Sequence, residues 1–392
     1  MAPADEGDRE VRGEGGGSGK GAAKKLLPVV LVLTGVLSAM LVVFGLPAVN
    51  GGPHHVPVGL VGPQAAAEAL GKQLDQRQPD GWEVTSYPST DALTQAIHDR
   101  DVMGGFAPDG QTLTVYTASA AGNPSSAAIN GIGNAVAAQQ GMEATTENVV
   151  PFPEDDPNGA GLTAAALPMI IGGVLPAVAM VRLFPGHGGL RLRLTGAVLF
   201  ALAAGFALAA IIQFGFGSVD GTYWTTALGL SLGMAALTLP FLGLESLFGF
   251  VGLGAGIVVM MFVGNSLSGL ATGAHWLPNG WATLGQLMPP GASGSLLRAN
   301  GFFDGTGAGG PVAVLAAWAV IGLLLILLAD RRGGRGTEEK QAEAATACAA
   351  SAPEGGAHEE GWMFHVKHPA LLVVRDPGVP STARARVGAM FT

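Results

Sequence analysis

The chain has 392 residues, 48% hydrophobic and only 12% charged, with a mean hydropathy of +0.40. A soluble domain carries about 25% charged residues, so this balance excludes an ordinary soluble protein. One cysteine (Cys348), 62 glycines with no G-X-Y period and a net charge of −9 exclude a disulfide framework or Cys-rich zinc site, exclude a collagen, and argue against nucleic-acid binding.

Residues 1–25 read as a flexible, disordered cytoplasmic tail. Its segment 13–21 (GEGGGSGKG) falls short of a phosphate-binding loop, because Glu14 stands at the first glycine position and Gly21 follows Lys20 where Ser or Thr is needed. A bilayer core takes about 20 apolar residues per helix. Residues 26–49 are the first such stretch. They read as an uncleaved anchor, because a signal peptide's apolar region is only about 7–15 residues long and ends at a small-residue cleavage site.

Residues 50–161 have a soluble composition, with thirteen acids against three bases (Lys72, Arg77 and Arg100). Alternation predicts strands at 56–62 (VPVGLVG), 82–87, 102–107 and 113–118, the last two joined by a Pro108-Asp109-Gly110 turn. Helical spacing predicts helices at 64–74, 90–98 and 125–140, with Asp91 early in the second and Asn123-Pro124 announcing the third. A last strand is expected at 148–152. Strands alternating with helices imply a small α/β domain. His54 and His55, adjacent in a mobile turn, make a poor chelate and read as a solvated loop. Glu154-Asp155-Asp156 reads as a solvated linker back to the membrane.

Five more apolar stretches follow, at 162–184, 194–214, 226–244, 248–270 and 311–329. Between 162 and 329 only Arg182, Arg191, Arg193, Asp220, Glu245, Arg298 and Asp304 are charged, all in connections or at helix ends. The expected fold is therefore an α-helical integral membrane protein of six transmembrane helices, with the α/β domain, extracytoplasmic, between helices 1 and 2. A five-helix body spans 162–332. The Lys and Arg clusters at 20–25, 182–193 and 331–335 all fall on one side of six spans, which makes that side and both termini cytoplasmic. Membrane lipid is then the first partner, and the inner cell membrane the location.

Residues 271–310 lie outside yet are rich in apolar and aromatic side chains. Trp281, Leu284 and Met288 keep helical spacing, Pro289-Pro290-Gly291 breaks the chain, and 293–300, which includes Arg298, forms a second short helix. Such a pair belongs at the membrane interface and can dip back as a re-entrant segment. No ionisable residue sits at mid-span; Gln213 is the most polar candidate, near the outer end of its helix. Ion-coupled carriers need such groups, so energy for any transport must come from a partner.

These parts together resemble the ABC-2 type transporter permeases, especially the phage-infection-protein-like (YhgE/Pip-like) branch with a large outer domain after the first helix. The resemblance covers residues 25–332. It rests on the order of parts, on VPVGLVG at the start of the outer domain, and on the late motif LPNGW (277–281), LGQLMPPGA (284–292), LLR (296–298) and FFDG (302–305), with NSLSG (265–269) before it. It implies a homo- or heterodimeric exporter subunit that pairs with a separate cytoplasmic ABC ATPase. Arg182, Arg191 and Arg193 would correspond to the ATPase-coupling segment, and Trp281, Leu284, Pro289, Pro290, Gly291 and Arg298 to the re-entrant outer segment. The connection here is Gly-rich rather than clearly helical, a departure from the family pattern.

Residues 333–392 read as a disordered cytoplasmic tail. Within it MFHVKH (363–368) can be back-translated as a perfect palindrome resembling a bacterial centromere-like partition site, a constraint on DNA rather than on protein. No catalytic, cofactor or metal grouping emerges, so the chain does not read as an enzyme. The competing reading is a non-transporting envelope or receptor-like protein that binds through its outer domain.

Overall fold

The computed structural model describes residues 18–350 apart from 186–188, 271 and 279. The glycine-rich residues 13–17 and the MFHVKH segment at 363–368 lie outside the described residues. The protein is a helical membrane protein with a small α/β domain. Among the described residues, five helical runs are long and apolar enough to cross a bilayer: Leu26–Gly45, Ala160–Leu183, Leu190–Gly215, Tyr223–Asn265 and Gly309–Arg332.

Helix α1 (Ser18–Val49) begins inside the expected tail, and between Leu26 and Phe44 most of its apolar side chains are exposed. It leads into the α/β domain, which runs β1 (Val56–Val61), α2 (Gln64–Arg77), β2 (Trp82–Tyr87), α3 (Thr90–His98), β3 (Gly104–Asp109), β4 (Thr112–Thr117), α4 (Asn123–Gln140) and β5 (Glu143–Asn148). The strands form one sheet in the order β2-β1-β3-β4-β5. All its pairs are parallel except the β3–β4 hairpin, whose tight turn uses Gly110 at φ 61°.

Helices α2 and α4 cover one face, where Leu70, Leu74, Ile129 and Ala137 pack on Val56, Val58, Phe106 and Val115. Helix α3 covers the other, capped by Ser89 Oγ accepting from the Ala92 N–H at 3.2 Å. Leu93 of α3 lies so close over β1 that any side chain at Gly59 would collide with it, which gives the glycine of VPVGLVG its structural reason. The last strand lies at 143–148 and not at the expected 148–152. Its sequence EATTEN is polar because it is an edge strand, exposed at most positions, whereas the apolar Val150 and Phe152 are spent on the junction with the helical body.

The body consists of α5 (Ala160–Leu183), α6 (Leu190–Ala210, continued by a π turn over Ile211–Gly215), α7 (Tyr223–Val259, continued by a π turn over Met260–Asn265), α8 (Trp281–Gln286), α9 (Pro289–Phe302) and α10 (Gly309–Ala350). Ala197, Ala201, Gly205 and Ala209 make a buried small-residue stripe along α6 at every fourth position. The backbone of Ser231 on α7 approaches Gly205 closely enough to exclude a side chain there, the small-residue packing that membrane helices favour. Helix α10 likewise presses Gly322 against Leu239 and Pro240.

Helix α7 is not a single rod. Gly249 has non-helical φ 63°, ψ −153°, and beyond it the chain folds back. A Cβ on Gly256 would sit 3.2 Å from the Phe241 ring, although fifteen residues of straight helix span about 22 Å. Met260 joins Leu237 and Phe241 in one buried cluster.

Two expectations about helix ends are corrected. Pro289 and Pro290 do not break the outer segment but form the first turn of α9, with the break one residue earlier at Leu287–Met288; proline is suited to a helix's first turn because its missing N–H has no partner there anyway. Helix α10 also runs past 332 and remains helical to Ala350.

Candidate functional site

The polar groups of the body gather at two poles. At the first, the C-terminal end of α5, the N-terminal end of α6, the fold-back of α7 and the end of the α10 apolar run converge. They enclose a cavity of about 270 Å³ lined by Arg193, Glu245, Ser246 and Asp330. Arg193 is half-buried and its Nε donates to the Phe184 carbonyl at 2.7 Å, fastening the start of α6 to the end of α5. Glu245 is buried, within electrostatic reach of both Arg193 and Arg182. The exposed Arg182 lies over the Phe250 ring at 4.8 Å. Arg191 is exposed beside them. The three arginines expected to act together thus lie at one pole, but only Arg193 lines the cavity.

The acids that complete this pole are Glu245 and Asp330. A lone carboxylate between two long apolar runs, as Glu245 is, was the available signal. The α5–α6 connection is short: α5 ends at Leu183 and α6 starts at Leu190.

At the other pole, α9 is inserted into the body. It runs antiparallel to the first arm of α7, with Ser293 against Gly233, Leu296 against Gly229, and Asn300 Nδ2 donating to the Thr225 carbonyl at 2.9 Å. Ten residues of helix separate Tyr223 from Gly233, about 15 Å, so Ser293 lies that far along the first arm of α7, with the first turn of α9 one turn deeper. Pro289, Pro290 and Gly291 are all buried. The two prolines present no N–H, which halves the number of unpaired donors that a helix start would leave at that depth. Gly291 admits the Gly285 carbonyl where a side chain would stand. Trp281 is half-buried and Leu284 is 43% exposed, turned outward from the body. Trp318 of α10 donates its indole N–H to the Leu287 carbonyl at 2.8 Å, pinning the α8–α9 corner.

Arg298 points the opposite way from the exposed face. It is 7% exposed, and its terminal nitrogens donate to the carbonyls of Gly269 (3.2 Å) and Leu270 (2.6 Å).

The His54-His55 turn is not the solvated loop expected. The His54 N–H donates to the His275 carbonyl at 3.0 Å and the Gly52 N–H to the Trp276 carbonyl at 3.2 Å, so the turn is stitched to the outer segment. His55 pairs with Glu83 at 2.8 Å. Both histidines and His275 border an outward cavity of about 510 Å³, which is otherwise largely apolar. Burial lowers the His275 pKa below its ordinary value against the opposing pull of His54 and Glu83. Among the described residues, no three His, Cys, Asp or Glu side chains cluster in a way that could hold a metal ion.

The linker carboxylates also do more than solvate. Asp156 is buried and accepts from the Ala160 and Gly161 N–H groups, both at 2.8 Å, at the start of α5. Gln213 donates to the Gly221 carbonyl at 2.6 Å, in the loop before α7. Phe206, Phe214, Tyr223 and Trp224 form an aromatic cluster at this level, the composition of a membrane–water interface.

No family model, curated protein or solved structure matches this chain.

Proposed function

We propose that this chain is the membrane subunit of an ABC-2 type exporter, crossing the inner membrane six times, with both termini cytoplasmic and energy drawn from a separate ATPase. The carrying observation is the polar cavity of Arg193, Glu245 and Asp330. These residues come from α6, the α7 fold-back and α10, and their meeting at one pole supports a reading in which Tyr223–Asn265 crosses twice. Six crossings put this pole beside the basic residues 182–193 and 331–335, which the positive-inside rule assigns to the cytoplasm. Such a pole, with half-buried charge on the ends of four helices, can transmit a push from a cytoplasmic motor into the helices. The inserted α9 supplies the matching element on the outer side. Dimerisation, homo- or heteromeric, belongs to the same reading, and the substrate is not specified by it.

The test is co-purification. The chain, tagged and extracted from its native membranes in mild detergent after cross-linking, is expected to bring down a protein with a phosphate-binding loop. Replacing Arg191→Ala together with Arg193→Ala should cut the recovered ATPase at least threefold while the chain stays monodisperse. Recovery of no ATPase at all refutes the reading.

The outward cavity of about 510 Å³ at His54, His55 and His275 favours a second reading, a non-transporting binding protein. It expects ligand retention to depend on residues 56–152 and to be indifferent to the arginine pair.

A further inference from the structure

Where the outer domain meets the body, two arginines 198 positions apart in the sequence line one small cavity of about 100 Å³, together with His275, Ser295 and the Phe303 ring. Arg298 reaches it from α9 and Arg100 from the turn after α3. Among the described residues no ion pair is found for either of them. Arg298 satisfies its two terminal nitrogens on carbonyls, but its Nε–H is buried with no partner. Arg100 donates one nitrogen to the Thr306 carbonyl at 3.2 Å and lies 5.1 Å over the Phe303 ring. Its backbone is left-handed at φ 63°, a conformation that costs a residue with a side chain about 1–2 kcal/mol.

A buried Arg298 and a half-buried Arg100 that line one cavity with no carboxylate paired to either are unfavourable. Each loses several kcal/mol of hydration, and they repel. Burial first, and then the charge of Arg100, lowers the Arg298 pKa to about 10, which still leaves it charged at neutral pH. A ligand of opposite sign would balance the pair.

We propose that this cavity is a binding site for one small inorganic anion, held between the Nε–H of Arg298 and the guanidinium of Arg100. Its volume of about 100 Å³ holds about three waters at 30 Å³ each, which suits a halide or a single tetrahedral oxyanion. The Ser295 hydroxyl is committed to Gln286 Oε1 and the His275 ring bonds the His54 backbone, so the site offers the anion chiefly arginine donors. A bound anion would lock the outer domain onto α9 by joining Arg100 of one to Arg298 of the other. This holds whether or not the chain transports anything.

The test is thermal unfolding of the purified full chain in detergent. The chain starts in sodium gluconate and is titrated at constant ionic strength with chloride, sulfate or phosphate. The expected result is a saturable rise in unfolding temperature with at least one of the three. Arg298→Met is expected to abolish the response and Arg100→Gln to raise the half-saturating concentration at least tenfold. Arg100→Gln alone decides if Arg298→Met does not fold. A wild-type response that is absent, or that rises without saturation equally in both proteins as a general salt effect does, overturns the proposal.

Discussion

Replacing Asp156 should loosen the start of α5 by an amount the geometry sets. Its two carboxylate oxygens accept the N–H groups of Ala160 and Gly161, each at 2.8 Å, which meets two of the four donors that a helix leaves unpaired at its start. Losing a side-chain cap costs about 1 kcal/mol, and losing a negative charge at the positive end of the helix dipole about 0.5–1 kcal/mol. With a second N–H also orphaned, Asp156→Ala should cost about 2–3 kcal/mol and Asp156→Asn, which keeps one acceptor oxygen, about 1–2 kcal/mol. At about 2 °C per kcal/mol for a body of this size, the alanine variant should melt roughly 4–6 °C lower.

The pH dependence adds a sign. Burial by itself would raise the Asp156 pKa, but hydrogen bonds from the N–H groups at the start of α5, Gly161 first and then Ala160, outweigh it and hold the carboxyl below its ordinary value. A carboxylate with a depressed folded pKa stabilises fully above its unfolded value, about 3.9, and loses that contribution as pH falls through the folded value. The melting gap between wild type and Asp156→Asn should therefore be constant from pH 8 to 5 and close below about pH 4. Unfolding followed by tryptophan fluorescence in detergent measures it. An alanine variant that melts with wild type at pH 7, or a gap that widens on acidification, refutes the capping account.

Gly205→Leu should separate α6 from α7 by placing a side chain where the Ser231 backbone lies, at a cost of at least about 1–3 kcal/mol, seen as loss of a monodisperse peak in size-exclusion chromatography; Gly205→Ala should show a milder form of the same defect. Phe152→Ala removes a buried ring that meets Phe302 edge-on at 5.4 Å. It should cost about 3–4 kcal/mol and speed limited proteolysis within 149–159 while leaving 56–148 protected. The single cysteine makes six crossings directly checkable. In intact cells a membrane-impermeant maleimide should leave Cys348 unlabelled until permeabilisation, whereas Gly110→Cys in a Cys348→Ser background should label at once. Five crossings would reverse one of these results.

Much of the architecture is legible locally. Apolar runs of about 20 residues announce helices because an unpaired backbone cannot stand in a bilayer. Alternation located β1 to β4 within two residues at their starts, because β1, β3 and β4 bury side chains and the edge strand β2 still packs Trp82 and Val84 on the core. The same reasoning misplaced β5, since an exposed edge strand has no hydrophobic alternation to find, and it put the Pro289-Pro290 break inside what is the first turn of α9. Asp156 and the His54-His55 turn read as solvated because their partners, at Ala160–Gly161 and 275–276, supply backbone groups with no signature of their own.

By itself, then, the amino-acid sequence determines that this is a helical membrane protein with an α/β domain after its first long helix, because hydropathy and period are properties of neighbouring residues. Only the tertiary structure decides what meets what. It shows that α7 doubles back at Gly249, that Glu245 and Asp330 join Arg193 at one pole, and that Arg100 and Arg298 face one cavity. Those contacts bring together side chains up to 198 positions apart, and packing rather than local pattern selects them. Charge placed at a helix end looks the same in sequence whether it faces water or another charge, and its burial is known only once the neighbouring helices are in place.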